Sequence, residues 1–197
     1  MCGRYYLYIE EAQLQEILRE LMEGRFPFNT GEIFPSSPVP VILSGGRPRV
    51  MKWGFSHYGG KDHIINARSE TIREKTIFHR PLQEGRCLVP ASWYFEWETI
   101  GTKKQKYAIS HPDMPLLFLA GLYRYEPNGP LPSFVILTRE AAKEIAFIHG
   151  RMPVILPRAQ QLSWLNGDMD ALTCDPGTFE YKKELQPGVG YQQEFPL

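Results

Sequence analysis

Apolar residues recur at helical spacing near the start of the chain, where Leu14, Ile17, Leu18, Leu21 and Met22 share one stripe. The pattern predicts an amphipathic helix over residues 10–23. Glu10 and Glu11 suit its positive N-terminal end, and Gly24 is placed to cap the other. The proline-rich stretch Phe34–Pro40 breaks any periodicity and predicts an irregular loop. Short apolar runs then predict strands at Val39–Leu43, Val50–Phe55, Cys87–Val89, Trp93–Glu98, Lys106–Ser110, Leu116–Tyr123 and Phe134–Thr138. Leu116–Leu122 is nearly continuous in apolar residues and should be buried on both faces. A second helix is expected from a Thr138 N-cap to Ile148, stopped at Gly150, and a third from Pro157 to Asn166–Gly167. Many strands, few helices and no βαβ rhythm point to a single α+β domain over residues 1–197, with a largely antiparallel sheet.

Composition narrows the partners. At 197 residues and 43% hydrophobic content, the chain has ample material for a core. Twenty-two basic side chains balance 22 acidic ones, which argues against coating nucleic acid by bulk charge and leaves room for a local basic groove. The three cysteines, Cys2, Cys87 and Cys174, show no CxxC or Cys/His spacing, so neither a disulfide framework nor a metal site is expected. The sequence has no apolar signal segment and no run approaching the length of a membrane span. A reducing cytoplasm is the expected setting.

In that setting Cys2 stands out. Removal of Met1 would leave an α-amine and a thiol on adjacent carbons, a pair that no internal cysteine offers. The amine, with an ordinary pKa of about 8, is substantially unprotonated at neutral pH and condenses with aldehydes. The thiol can close onto the resulting imine carbon to give a five-membered thiazolidine. Arg4, two residues on, is expected to stabilise the thiolate.

Three other stretches put polar groups where a core has no need of them. In Asn66-Ala67-Arg68-Ser69-Glu70, extended backbone would send Asn66, Arg68 and Glu70 to one face. In Trp93-Tyr94-Phe95-Glu96-Trp97-Glu98, alternation sends the Trp93, Phe95 and Trp97 rings one way and Tyr94, Glu96 and Glu98 the other. A carboxylate among aromatics is desolvated, which raises its pKa towards proton transfer. In His149-Gly150-Arg151, a histidine at a helix C-terminus and an arginine beyond a flexible glycine could both face a cleft. Each stretch also has a purely structural explanation as a solvated strand end, an edge strand or a helix cap.

The set MCGRY at 1–5, WGF at 53–55, NARSET at 66–71, RCLVPASWYFEW at 86–97, AGLY at 120–123, ILT at 136–138 and HGRMPVIL at 149–156 resembles the SRAP (SOS-response-associated peptidase) family. The resemblance implies a compact α+β domain with a barrel-like sheet core and a few peripheral helices. It also implies a protein that crosslinks itself to abasic sites in single-stranded DNA. Cys2, Asn66, Glu96 and His149 match the family's catalytic residues. Arg4, Arg68 and Arg151 match its DNA-backbone contacts, with Trp53, Gly54 and the loop from Pro35 as cleft walls. Tyr58 stands where the family often has a tryptophan, and Gly150 where it often has aspartate. No cofactor or metal is implied, and a monomer is expected. Two other readings are a cysteine-type peptidase or amidohydrolase that removes its own Met1, and a module that binds single-stranded DNA without covalent chemistry.

Overall fold

The computed structural model describes residues 2–10, 12–24, 27–56, 63–127 and 129–184. Met1, Glu11 and Tyr58, which enter the expectations above, lie outside the described residues. Fourteen strands and three α-helices are found among the described residues. One sheet runs in the order β14 (Glu180–Lys183), β10 (Lys103–Ser110), β9 (Trp93–Ile100), β1 (Tyr5–Leu7), β2 (Gly31–Ile33).

The second sheet runs β11 (Leu117–Arg124), β8 (Arg86–Ala91), β3 (Pro38–Ile42), β4 (Pro48–Trp53), β12 (Ser133–Glu140), β13 (Arg151–Pro153). It closes on itself, because β11 also pairs with β12. A five-membered ring of strands results, and a barrel-like core was the expectation. β12 changes partners along its length. Its first residues pair with β4, and Ile136–Thr138 pair with β7 (Asn66–Arg68), both in parallel register. The remaining pairings in the two large sheets are antiparallel. The small ladder β5 (Phe55–Ser56) with β6 (His63–Ile64) completes the set.

The expected strands all form, with ends shifted by a residue or a few. β3 reaches back into the proline-rich stretch, so only residues 34–37 are loop. Pro38 is tolerated in the strand because its backbone edge faces away from β4: its carbonyl accepts the Asn29 N–H at 2.8 Å. Helix α1 (Ala12–Glu23) buries Leu14, Leu18 and Leu21 of the expected stripe, while Met22, near its C-terminal end, is exposed. Truncating any of the buried leucines to alanine would cost about 2–5 kcal/mol. Helix α3 (Arg158–Leu165) also forms where expected.

The helix expected over 138–148 does not exist. Thr138 lies inside β12, held on one edge by Arg68 and on the other by Pro153. Strand pairing on both edges outweighs the helical spacing that follows. Successive turns carry the chain from Ala142 to His149, with Ile145 N–H donating to Ala142 and Ile148 N–H to Ile145 at 3.1 and 3.0 Å. Ile145 and Ile148 are buried by those turns, which satisfies the same apolar spacing that suggested a helix. Conversely, α2 (Thr76–Glu84) was not anticipated; Pro81 interrupts its sequence pattern, yet the helix accommodates it in its second half.

Candidate active site

The N-terminal segment links the two large sheets. β1 pairs with β9, Tyr5 opposite Tyr94, and the Phe95 N–H extends the pairing by donating to the Arg4 carbonyl at 2.9 Å. On its other side, Asn66 Nδ2 donates to the Cys2 carbonyl at 2.8 Å, tying the segment to β7, which pairs with β12 of the barrel. Cys2 is wholly buried at this junction, and its thiol leans on the same Arg4 carbonyl at 3.8 Å. Residues 2, 66 and 96 therefore meet through strand pairing across long stretches of sequence.

β9 alternates as the sequence predicts. Tyr94 and Glu96 turn inward and are buried. The opposite face stacks Trp93 on Tyr6, ring centres 4.3 Å apart, and holds Lys106 Nζ 3.7 Å over Phe95. Burial raises the Glu96 carboxyl above its ordinary range, with His149 among the groups that oppose the rise. The Glu96 carboxylate and the His149 ring are thus close enough to act on one another. His149 sits after a turn instead of a helix C-terminus, so no helix dipole bears on it. Its Nδ1 lies against the Arg151 backbone, 3.0 Å from the N–H and 3.3 Å from the carbonyl, which fixes the ring's orientation. Gly150 has open space where a Cβ would stand and an ordinary φ, so the turn does not depend on glycine.

The Cys2 thiol differs from expectation. Burial, and then the Glu96 charge, push its pKa well up, so it rests as a neutral thiol. Arg4 does not stabilise a thiolate, because its guanidinium points elsewhere. It pairs with Glu32 at 2.9 Å and lies 3.8 Å over the exposed Phe34 ring, with Trp97 at 5.5 Å. Glu32 also takes Lys106 at 2.8 Å, and Lys106 reaches Glu184 at 3.1 Å. Burial pushes the Glu32 carboxyl up, but the Lys106 and Arg4 hydrogen bonds outweigh it and hold the group below its ordinary range.

Arg151 is likewise engaged. It forks onto Glu70 at 2.7 and 2.8 Å and donates to the Thr138 carbonyl at 2.8 Å. The Arg151 hydrogen bond lowers the Glu70 pKa. Glu70 reaches it because the extended run stops at Arg68 and residues 69–71 form a 3₁₀ turn, so the expected three-residue alternation ends early. Arg68 is exposed beside this pair.

The expected cleft walls separate into lining and support. Trp53 is wholly buried, its Nε1 donating to Ile65 at 3.0 Å and its ring stacked on Phe134, so it offers no exposed ring to a ligand. Gly54 is structural: it has φ of 114°, and an added Cβ would meet His63 at 3.0 Å. Pro35 leads a tight turn in which Ser36 takes φ of 71° and Ser37 N–H returns to Phe34 at 3.1 Å. The turn presents Phe34, and that exposed aromatic beside a proline was the signal the sequence reading passed over. Glu32 and Lys106 were also missed, and no local pattern marks them.

A family model described as SOS response associated peptidase (SRAP) matches residues 1–184. An abasic site processing protein of Saccharomyces cerevisiae is 37% identical, aligned over 95% of this chain and 60% of its own length. The abasic site processing protein YoaM of Bacillus subtilis is 35% identical over 84% of this chain and 79% of its own. The chain therefore spans less than two thirds of the yeast relative and about four fifths of the bacterial one. A crystal structure of a Bacteroides thetaiotaomicron protein shares the fold, with a TM-score of 0.75 and 23% identity over 92% of this chain and 91% of that one.

Proposed function

The chain belongs to the SOS response associated peptidase family, and on that premise we propose that it processes abasic sites in single-stranded DNA by joining them covalently to Cys2. One observation carries the reading: a buried Cys2, its backbone carbonyl held by Asn66, lies beside a desolvated Glu96 that His149 reaches electrostatically. The names of the relatives supply the substrate class. Loss of Met1 comes first, since the chemistry needs the Cys2 amine.

The ring-opened abasic sugar carries an aldehyde. The Cys2 amine adds to its carbon, and the carbinolamine loses water to give an iminium. The neutral thiol then gives up its proton and adds to the same carbon, closing the thiazolidine. Glu96 and His149 are placed to move these protons. Asn66 fixes the Cys2 backbone, so most of the rate comes from holding amine and thiol against one carbon. A thiol that rests protonated favours this order, amine first, over a peptidase that needs a resting thiolate.

DNA is held at the rim. Arg4 and Arg151 sit on carboxylates, so phosphates must take the places of Glu32 and Glu70, while exposed Arg68 needs no exchange of that kind with either carboxylate. A buried thiol favours a single strand, whose abasic sugar can leave the backbone line and enter. One copy of the chain supplies every group named, which suits a monomer. The test is a denaturing gel after mixing Met1-free protein with an abasic oligonucleotide. A shifted band is expected, and it should vanish if the aldehyde is first reduced or capped with an alkoxyamine. A band that survives reduction contradicts the reading.

A further inference from the structure

Tyr5 and Tyr94 stand opposite one another across the β1–β9 pairing, and both are wholly buried. Among the described residues neither hydroxyl has a hydrogen-bond partner. Buried hydroxyls are normally paired, because losing water without a replacement is costly. A phenylalanine would fill the same volume without that cost. For Tyr5 the ring itself has a packing role, tilted against Trp53 at 5.3 Å.

Tyr94 has a different setting. It lies two residues before Glu96 on β9, so the strand turns both side chains to one buried face. The backbone between them is fixed beside the nucleophile: the Phe95 N–H and the Cys2 thiol converge on the single Arg4 carbonyl, at 2.9 and 3.8 Å. Both phenols lie within electrostatic reach of Cys2, and Tyr94's is also within reach of Glu96.

We propose that Tyr94 is a further catalytic residue, whose Oη–H donates a hydrogen bond to the aldehyde oxygen as the Cys2 amine adds to the carbon. The role rests on the aldehyde reading above. As the C–N bond forms, the carbonyl π pair moves onto oxygen. Tyr94 stabilises that charge and keeps its own proton, and the oxygen becomes a hydroxyl with the proton the nitrogen loses. It then departs as water, taking its second proton from the Glu96–His149 pair, as the nitrogen lone pair forms the iminium. Burial, followed by the nearby Cys2 and Glu96, holds the phenol's pKa well above its ordinary value, so it remains a donor at working pH. The substrate oxygen is the partner the buried hydroxyl lacks.

The experiment measures adduct formation at saturating abasic single-stranded oligonucleotide for wild type, Tyr94→Phe and Tyr5→Phe. Tyr94→Phe is expected to slow the reaction by about 10²-fold, the scale of one lost oxyanion donor. Its half-saturating concentration should hold, and its melting temperature should not fall, because an unpaired buried hydroxyl stabilises nothing. Tyr5→Phe should react like wild type. A fluorotyrosine at position 94, a stronger donor of nearly the same shape, should react faster than tyrosine. A Tyr94→Phe rate equal to wild type, or an equal loss in both phenylalanine variants, overturns the assignment. A wild type that forms no adduct instead overturns the aldehyde reading beneath it.

Discussion

The pocket around Cys2 and the charged rim beside it differ in how their polar groups are satisfied, although the Arg4 and Arg151 Nε atoms at the rim are also buried without a partner among the described residues. At the rim, Arg4 and Arg151 are each paired with a carboxylate, and Lys106 with two. In the pocket, Tyr5 Oη, Tyr94 Oη and Asn66 Oδ1 are buried with no hydrogen-bond partner among the described residues. On the proposed reading, the rim keeps its cations paired until phosphates replace the carboxylates, at modest net gain on each swap. On the same reading, the pocket keeps donors and acceptors dry, where each bond formed to the substrate would count for more. Changes in the pocket should therefore alter rate, and changes at the rim should alter affinity.

The sharpest break in that contrast is Cys2→Ser. It should abolish the denaturant-stable adduct while leaving binding to an intact single strand near wild type by fluorescence anisotropy; a parallel loss of binding would erase the distinction.

Next in size is Glu96→Gln, expected to slow adduct formation by about 10²-fold, in the usual range for a lost acid–base group. Burial raises the Glu96 pKa, so its carboxyl is still protonated at pH values where an ordinary one, near 4.3, has ionised. The rate should fall as pH drops through that raised value. In Glu96→Gln this acid limb should be missing from the pH–rate profile.

Rim effects are smaller and should appear as salt dependence. Arg151→Ala should lower the slope of log affinity against log salt by about 0.7, the share of one phosphate on a single strand, with the saturated rate little changed. Smallest is Glu70→Gln. Freed of its carboxylate, Arg151 should bind DNA tighter by a factor of about 2–5, the scale of an exposed ion pair. Weaker binding in titration would instead make Glu70 a positioner of Arg151.

How much of this was legible in the sequence follows the same division. Cys2 was legible from its place behind Met1, and the inward face of β9 from period-two alternation, because both signals are local. His149 was found, but its helix was not there: β12 is fixed by partners on both edges, which periodicity cannot sense. Trp53 was placed in the cleft by its motif, yet stacking on Phe134 takes it into the core. The Arg4–Glu32 and Arg151–Glu70 pairs span 28 and 81 residues of sequence, and nothing in either segment announces the other. The same holds for Tyr94, whose buried, unpartnered hydroxyl becomes visible only once β1 lies beside β9.

Intact-mass measurement of the product formed with an abasic single-stranded oligonucleotide bears most directly on covalent capture at Cys2. The expected species is the chain without Met1 plus the oligonucleotide, minus one water, with peptide mapping placing the link on Cys2. An adduct on protein that still carries Met1, or a link mapped to a lysine, would contradict it.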